Sequence, residues 1–162
     1  LHRRRHSFPT RRSSDLNRFA IVEVTGAHLR RLVTTNLTHD GAFLSWGGLS
    51  AKATCAAGKL AIELRVGGKL LDDRATYKLA TSDFLATGGD GLIGRLKLSP
   101  DKIHITDVII RDALADVLKA KKGAAAQIAP AALLDRAHPR LAYPGTRPVT
   151  CGGAAEAAEP GE

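Results

Sequence analysis

Polar and apolar positions alternate most cleanly in KLAIELRV, residues 59–66. Leu60, Ile62, Leu64 and Val66 interleave with Ala61, Glu63 and Arg65, which predicts a strand with one buried and one wet face. RFAIVEV (18–24) is a second, β-branched strand. After Thr25-Gly26 the period changes: Leu29, Leu32, Val33 and Leu37 fall at helical spacing with Arg30 and Arg31 on the other side, and His39-Asp40-Gly41 ends that helix. AFLSWGGLSAKAT (42–54) reads as a strand bent at Gly47-Gly48. Gly67-Gly68 signals a two-residue hairpin into KLL, Asp72-Asp73 is another turn, and TYKLATS (76–82) is the next strand.

In KIHIT, Ile103 and Ile105 alternate inward. Thr106 or Asp107 then caps a helix, VIIRDALADVLKAKKG (108–123). Its apolar stripe is Ile109, Ile110, Ala113, Leu114, Val117 and Leu118. Lys119, Lys121 and Lys122 complement its C-terminal dipole before Gly123 stops it. A Pro-punctuated stretch follows, with one short closing strand around Arg140–Tyr143. The fold class predicted is α+β: a mixed or antiparallel sheet with two main helices packed on it, glycine-rich turns and a disordered C-terminal tail.

Composition bounds this picture. At 162 residues the chain is about one domain, and with 4% aromatics and no methionine its core must be Leu, Ile, Val and Ala. A net charge of +8 invites a nucleic-acid partner, but five of the 24 basic residues crowd the first sixteen positions against one acid, Asp15, and the rest carries only +4. The remaining charges are mixed in sign with no aromatic-interleaved basic stripe, which argues against nucleic acid. The opening LHRRRHSFPTRRSSDL has no apolar h-region and resembles translated sequencing-adapter sequence. The organisation expected is a non-native or disordered leader (1–16), a folded body (17–150) and a disordered tail (151–162). No apolar run is long enough to span a membrane. Cys55 and Cys151 match no metal-ligand spacing. A disulfide is open to them, but two free thiols is the preferred reading.

Chemistry concentrates in YKLATSDFLATGGDGL (77–92). GGDG has a plain reading, a loop with an Asx-type turn, and Phe84 can be ordinary core; on spacing alone this reading is preferred. No phosphate-loop pattern is present. His28, His39, His104 and His138 are scattered, and no triad or paired carboxylates can be read, so no catalytic or metal-ligating residue is assigned. The functional reading takes Phe84 and Asp90 as a cleft. An aromatic face stacks a planar base for about 1–3 kcal/mol, and a carboxylate's two acceptor oxygens match the vicinal hydroxyls of a ribose.

The same stretch resembles the Y-x-x-A-T-x-x-F-x-A-x-G-G-D-G signature of the C-terminal domain of 5′-nucleotidases. N-x-x-x-x-V-x-V-T-G-x-x-L from Asn17, GAFLSWGGL, VGGKLLDDRATY and IRDALADVLKAKKG resemble that family's other elements in order, covering roughly Asn17 to Lys122. The resemblance implies that Phe84 stacks on the nucleobase, Asp90 holds the ribose hydroxyls, Asn17 reaches the base and the backbone of Gly41 lies against it. It implies a nucleotide substrate and a parent located in the periplasm, secreted or at the cell surface. The chain departs from the family where a second stacking aromatic is expected, since Asp15 stands there, and nothing matches the phosphate-gripping arginines. The expectation is therefore an N-terminally truncated domain. The metallophosphatase domain, with the two divalent metal ions that two-metal hydrolysis needs, would be missing and the fragment inert. The rival readings are a basic interaction module for RNA or acidic partners, and a structural remnant without ligand.

Overall fold

The computed structural model describes residues 16–41, 43–120 and 137–152. The chain forms two compact units. The first comprises the described residues of Leu1–Glu23 and Lys78–Gln127, the second those of Val24–Tyr77 and Ile128–Glu162.

The first unit is built on a three-stranded sheet in the order β5-β1-β6, with β1 at Arg18–Thr25, β5 at Thr76–Ser82 and β6 at Ile103–Ile109; the unit boundaries fall within β1 and β5. β1 and β6 run antiparallel, pairing Arg18 with Ile109 and Ala20 with Ile105 across an irregularity. There the Thr106 hydroxyl donates to the carbonyl of Phe19 (2.9 Å). Ala20, Val22, Ala86, Leu92, Ile93 and Leu96 are this unit's buried apolar residues among those described. The first helix after β5 is a single turn, named below, and the longer helix α3 (Ile110–Ala120) follows β6 directly.

Three expectations change here. Neither Thr106 nor Asp107 caps α3, because the strand runs on through Ile109; the Ile110 N–H at the helix start instead donates to the carbonyl of Asn17 (2.9 Å). Ile105 is 43% exposed rather than inward, since β6 is an edge strand with a neighbour on one side only. The α3 stripe is not buried among the described residues: Leu114, Val117 and Leu118 are exposed.

The second unit holds α1 (Gly26–Thr38) and a four-stranded sheet ordered β4-β3-β2-β7. Its strands are β2 (Leu49–Ala56), β3 (Lys59–Val66), β4 (Lys69–Leu70) and β7 (Leu141–Ala142). α1 begins with a reciprocal cap in which His28 N–H donates to Thr25 Oγ1 (3.2 Å) and Thr25 N–H donates to His28 Nδ1 (3.3 Å). Its Leu29, Leu32, Val33 and Leu37 are buried as their spacing predicts. β3 shows the alternation read from sequence, with Leu64 fully buried, and Gly67-Gly68 (φ 56° and 80°) closes the β3–β4 hairpin in the left-handed backbone a two-residue turn needs. β7 lies parallel to β2, pairing Ala51 with Leu141, and so supplies the expected closing strand.

The strand predicted from residue 42 begins only at Leu49. Leu44 is held instead by the buried side chain of Asn36, whose Nδ2 donates to the Leu44 carbonyl (3.1 Å) and whose Oδ1 accepts from the Leu44 N–H (3.0 Å). With both backbone groups engaged, Leu44 has none left for a ladder. Cys55 and Cys151 form a disulfide across 96 residues, which corrects the free-thiol reading. The bridge takes in Cys151, the first residue of the expected tail. Spacing alone carries no pairing information, and these two meet because the last strand returns to β2. The leader through Asp15, the helix end at Lys121–Gly123, and the tail beyond Gly152 lie outside the described residues, as does Ala42. Among the described residues no helix is long and apolar enough to cross a membrane.

The α+β class holds, with its strands divided between two sheets.

Candidate nucleoside site

Phe84 leaves the strand almost at once. Ser82 caps the one-turn helix α2 (Asp83–Ala86) by accepting from the Leu85 N–H (3.2 Å), and Asp83 Oδ1 accepts from the N–H of Phe84 (2.8 Å). This turn buries Ala86 and leaves Phe84 51% exposed. The ring is nonetheless located. A Cβ built at Gly89 would land on Cδ1, Cε1 and Cζ of Phe84, so one part of the ring rests against the bare backbone of Gly89. A side chain there would displace it.

Asp90 follows in a 3-10 turn spanning Gly89–Gly91 and adopts φ 55°, ψ 5°, a left-handed conformation that Asp tolerates better than most residues. It is exposed, and its carboxylate makes no hydrogen bond or ion pair within the described residues. A carboxylate in this position has both oxygens free to accept. Phe84 and Asp90 are thus brought to one short α2–turn segment, the ring seated on the residue just before the acid.

Asn17 lies in the same unit, half-buried, and its carbonyl is committed to the Ile110 N–H (2.9 Å), leaving its side-chain amide without a partner among the described residues. Gly41 belongs to the second unit. It is exposed at φ 127°, with nothing within 4 Å of where a Cβ would stand, so backbone conformation and not close packing calls for glycine. Beside it, the Arg147 guanidinium sits 4.7 Å above the ring of Phe43 and donates to the carbonyl of His39 (3.0 Å). The sequence reading missed Phe43, Arg147 and the individual role of Gly89. Gly89 sits five residues after Phe84, a spacing that carries meaning only once α2 is known to be a single turn.

Among the described residues, no three His, Cys, Asp or Glu side chains gather as metal ligands. The two described titratable groups drawn away from their ordinary range are remote from Phe84 in sequence. Asp101 is lowered chiefly by the hydroxyl of Ser99, and Lys102 is raised chiefly by its hydrogen bond to Glu23.

With this geometry in place, comparison with known proteins is decisive for the family. The family model described as 5′-nucleotidase, C-terminal domain, matches residues 15–96, just over half of the chain. The chain belongs to the 5′-nucleotidase C-terminal domain family. That match contains β1, α1, the β2–β3–β4 hairpins, β5, Phe84 and the GGDG turn. Among solved structures the chain is similar to that of a 5′-nucleotidase precursor from Thermus thermophilus, with a TM-score of 0.57 and 22% identity. The alignment covers 79% of this chain and 25% of that one, so the chain spans about a quarter of that protein's length. At this identity the likeness concerns the fold. No curated protein matches the chain.

Proposed function

We propose that this 5′-nucleotidase C-terminal domain grips the nucleoside end of a nucleotide whose phosphate ester is cleaved by a metallophosphatase domain outside this sequence. Phe84 stacks on the base, Asp90 accepts hydrogen bonds from the ribose diol, and the Asn17 side-chain amide contacts the base edge. The observation that carries the reading is the pairing of a half-exposed ring seated on Gly89 with an unpartnered carboxylate at the next residue. An ordinary core phenylalanine would be covered, and an ordinary Asx turn would spend its carboxylate on nearby backbone N–H groups. Two-metal chemistry is assigned to the metallophosphatase domain, as the family resemblance implies. The Cys55–Cys151 bridge supports an exported parent, in the periplasm, secreted or at the cell surface, since such bridges persist in oxidising compartments.

The test is calorimetric titration of the chain with adenosine and with 2′,3′-dideoxyadenosine. Phe84→Ala is expected to weaken both by the loss of stacking, about 1–3 kcal/mol. Asp90→Ala is expected to weaken adenosine and leave the dideoxy analogue almost unchanged. Equal losses for the two sugars would remove the diol role. Absence of adenosine binding by the unaltered chain would favour a domain without a ligand of its own.

A further inference from the structure

A groove of about 370 Å³ lies on the second unit; none of the residues assigned to the nucleoside lines it, and its lining side chains include more cations than carboxylates. Strand register builds it. Ser50 faces Arg65 and Lys52 faces Glu63 across β2 and β3, while Lys52 faces Ala142 on β7. Since side chains alternate along a strand, Ser50 and Lys52 emerge on the face opposite buried Leu49, Ala51 and Ala53. The segment His138-Pro139-Arg140, leading into β7, walls the groove on one side.

Charge distinguishes this concavity from an ordinary wet sheet face. Three permanent cations, Lys52, Arg65 and Arg140, line it against one carboxylate, Glu63. Glu63 is already engaged by Arg65 (2.8 Å), whose Nη1 also donates to the carbonyl of Gly68 (3.2 Å). Arg140 is anchored through one N–H to the carbonyl of Trp46 (3.2 Å), a neutral acceptor that leaves its charge uncompensated. The Lys52 ammonium has no hydrogen bond or ion pair among the described residues. Two guanidinium forks held in place, a free ammonium and the Ser50 hydroxyl form a donor set suited to a tetrahedral oxyanion, which offers many acceptor oxygens around one centre.

We propose that this groove binds a phosphate group, with Lys52 and Arg140 supplying the uncompensated charge and Ser50 a neutral donor. The site stands independently of the nucleoside reading. The experiment is a titration of the isotopically labelled chain with inorganic phosphate, followed by amide NMR, against sodium chloride at matched ionic strength. Saturable shifts are expected at Ser50, Lys52, Arg65 and Ala142. Lys52→Glu should weaken phosphate binding at least about tenfold, and Ser50→Ala, which leaves charge untouched, by about threefold. Phe84→Ala should leave the phosphate titration unchanged. Shifts that never saturate, that chloride reproduces, or that survive Lys52→Glu would mean an adventitious ion only and overturn the proposal. Loss of adenosine binding with phosphate binding intact would overturn the nucleoside reading alone.

Discussion

The ring of Phe84 rests on the backbone of Gly89, so closely that no side chain fits at Gly89 without moving the ring. Gly89 is not among the glycines held at positive φ, so its backbone accepts alanine and the conflict lies with the ring alone. Gly89→Ala is therefore expected to keep the fold and displace the stacking surface. Adenosine affinity should fall by about five- to a hundredfold, within the range of one lost stacking contact, while the thermal melt stays close to that of the unaltered chain. Full affinity in this variant would show that the ring's seat on Gly89 has no part in recognition.

Asn36 is 1% exposed and holds both backbone groups of Leu44. Asn36→Leu removes both bonds and strands the half-buried N–H and C=O of Leu44, an expected loss of about 1–3 kcal/mol in denaturant unfolding. Asn36→Asp should also destabilise, because a carboxylate cannot donate to the Leu44 carbonyl. A variant as stable as the original would mean that water satisfies Leu44 equally well.

These two residues also mark where sequence was and was not legible. β3, the Gly67-Gly68 turn and the buried stripe of α1 follow from local periodicity, and so were readable. The closeness of Phe84 and Asp90 was readable too, since both fall in one short motif. The departure of residues 43–48 from strand was hidden because it depends on what Asn36 does with its amide after α1 has formed. The start of α3 was hidden for a similar reason, since its first N–H is taken by Asn17 from the far end of the chain. Cys55 with Cys151, and Ile105 at a sheet edge, likewise depend on which strands become neighbours, and periodicity does not encode that order.

The disulfide joins the end of β2 to the segment that follows β7. Thiol titration of the native protein should find no free cysteine in the absence of reductant. Reduction, or the double replacement Cys55→Ser and Cys151→Ser, is expected to cost about 2–4 kcal/mol in unfolding experiments. A melt insensitive to reductant would indicate that β7 and the Val149 N–H bond to the Leu37 carbonyl (2.8 Å) suffice to hold that segment.

On the first unit, Lys102 reaches Glu23 at 3.1 Å and Asp101 at 3.8 Å. Its ammonium is raised above the ordinary 10.5, chiefly by the hydrogen bond to Glu23, so its contribution is complete below that value and fades as pH climbs through the raised one. Asp101, lowered below 3.8 chiefly by the Ser99 hydroxyl, contributes fully above that value and loses its effect as pH falls through the lowered one. Thermal melts of Lys102→Met and the parent should diverge least at strongly alkaline pH, and the gap between them should shrink with added salt. A gap independent of both would point to packing of the Lys102 stem.

The pairing of Arg18 with Ile109, and of Ala51 with Leu141, has a consequence for biogenesis. Each sheet joins a strand to a partner made much later, so the first closes only after Ile109 has left the ribosome and the second only after Leu141. Closure of such distant partners is slow. Until then one edge of β1 and one edge of β2 stay unpaired, open to pairing with the wrong strand.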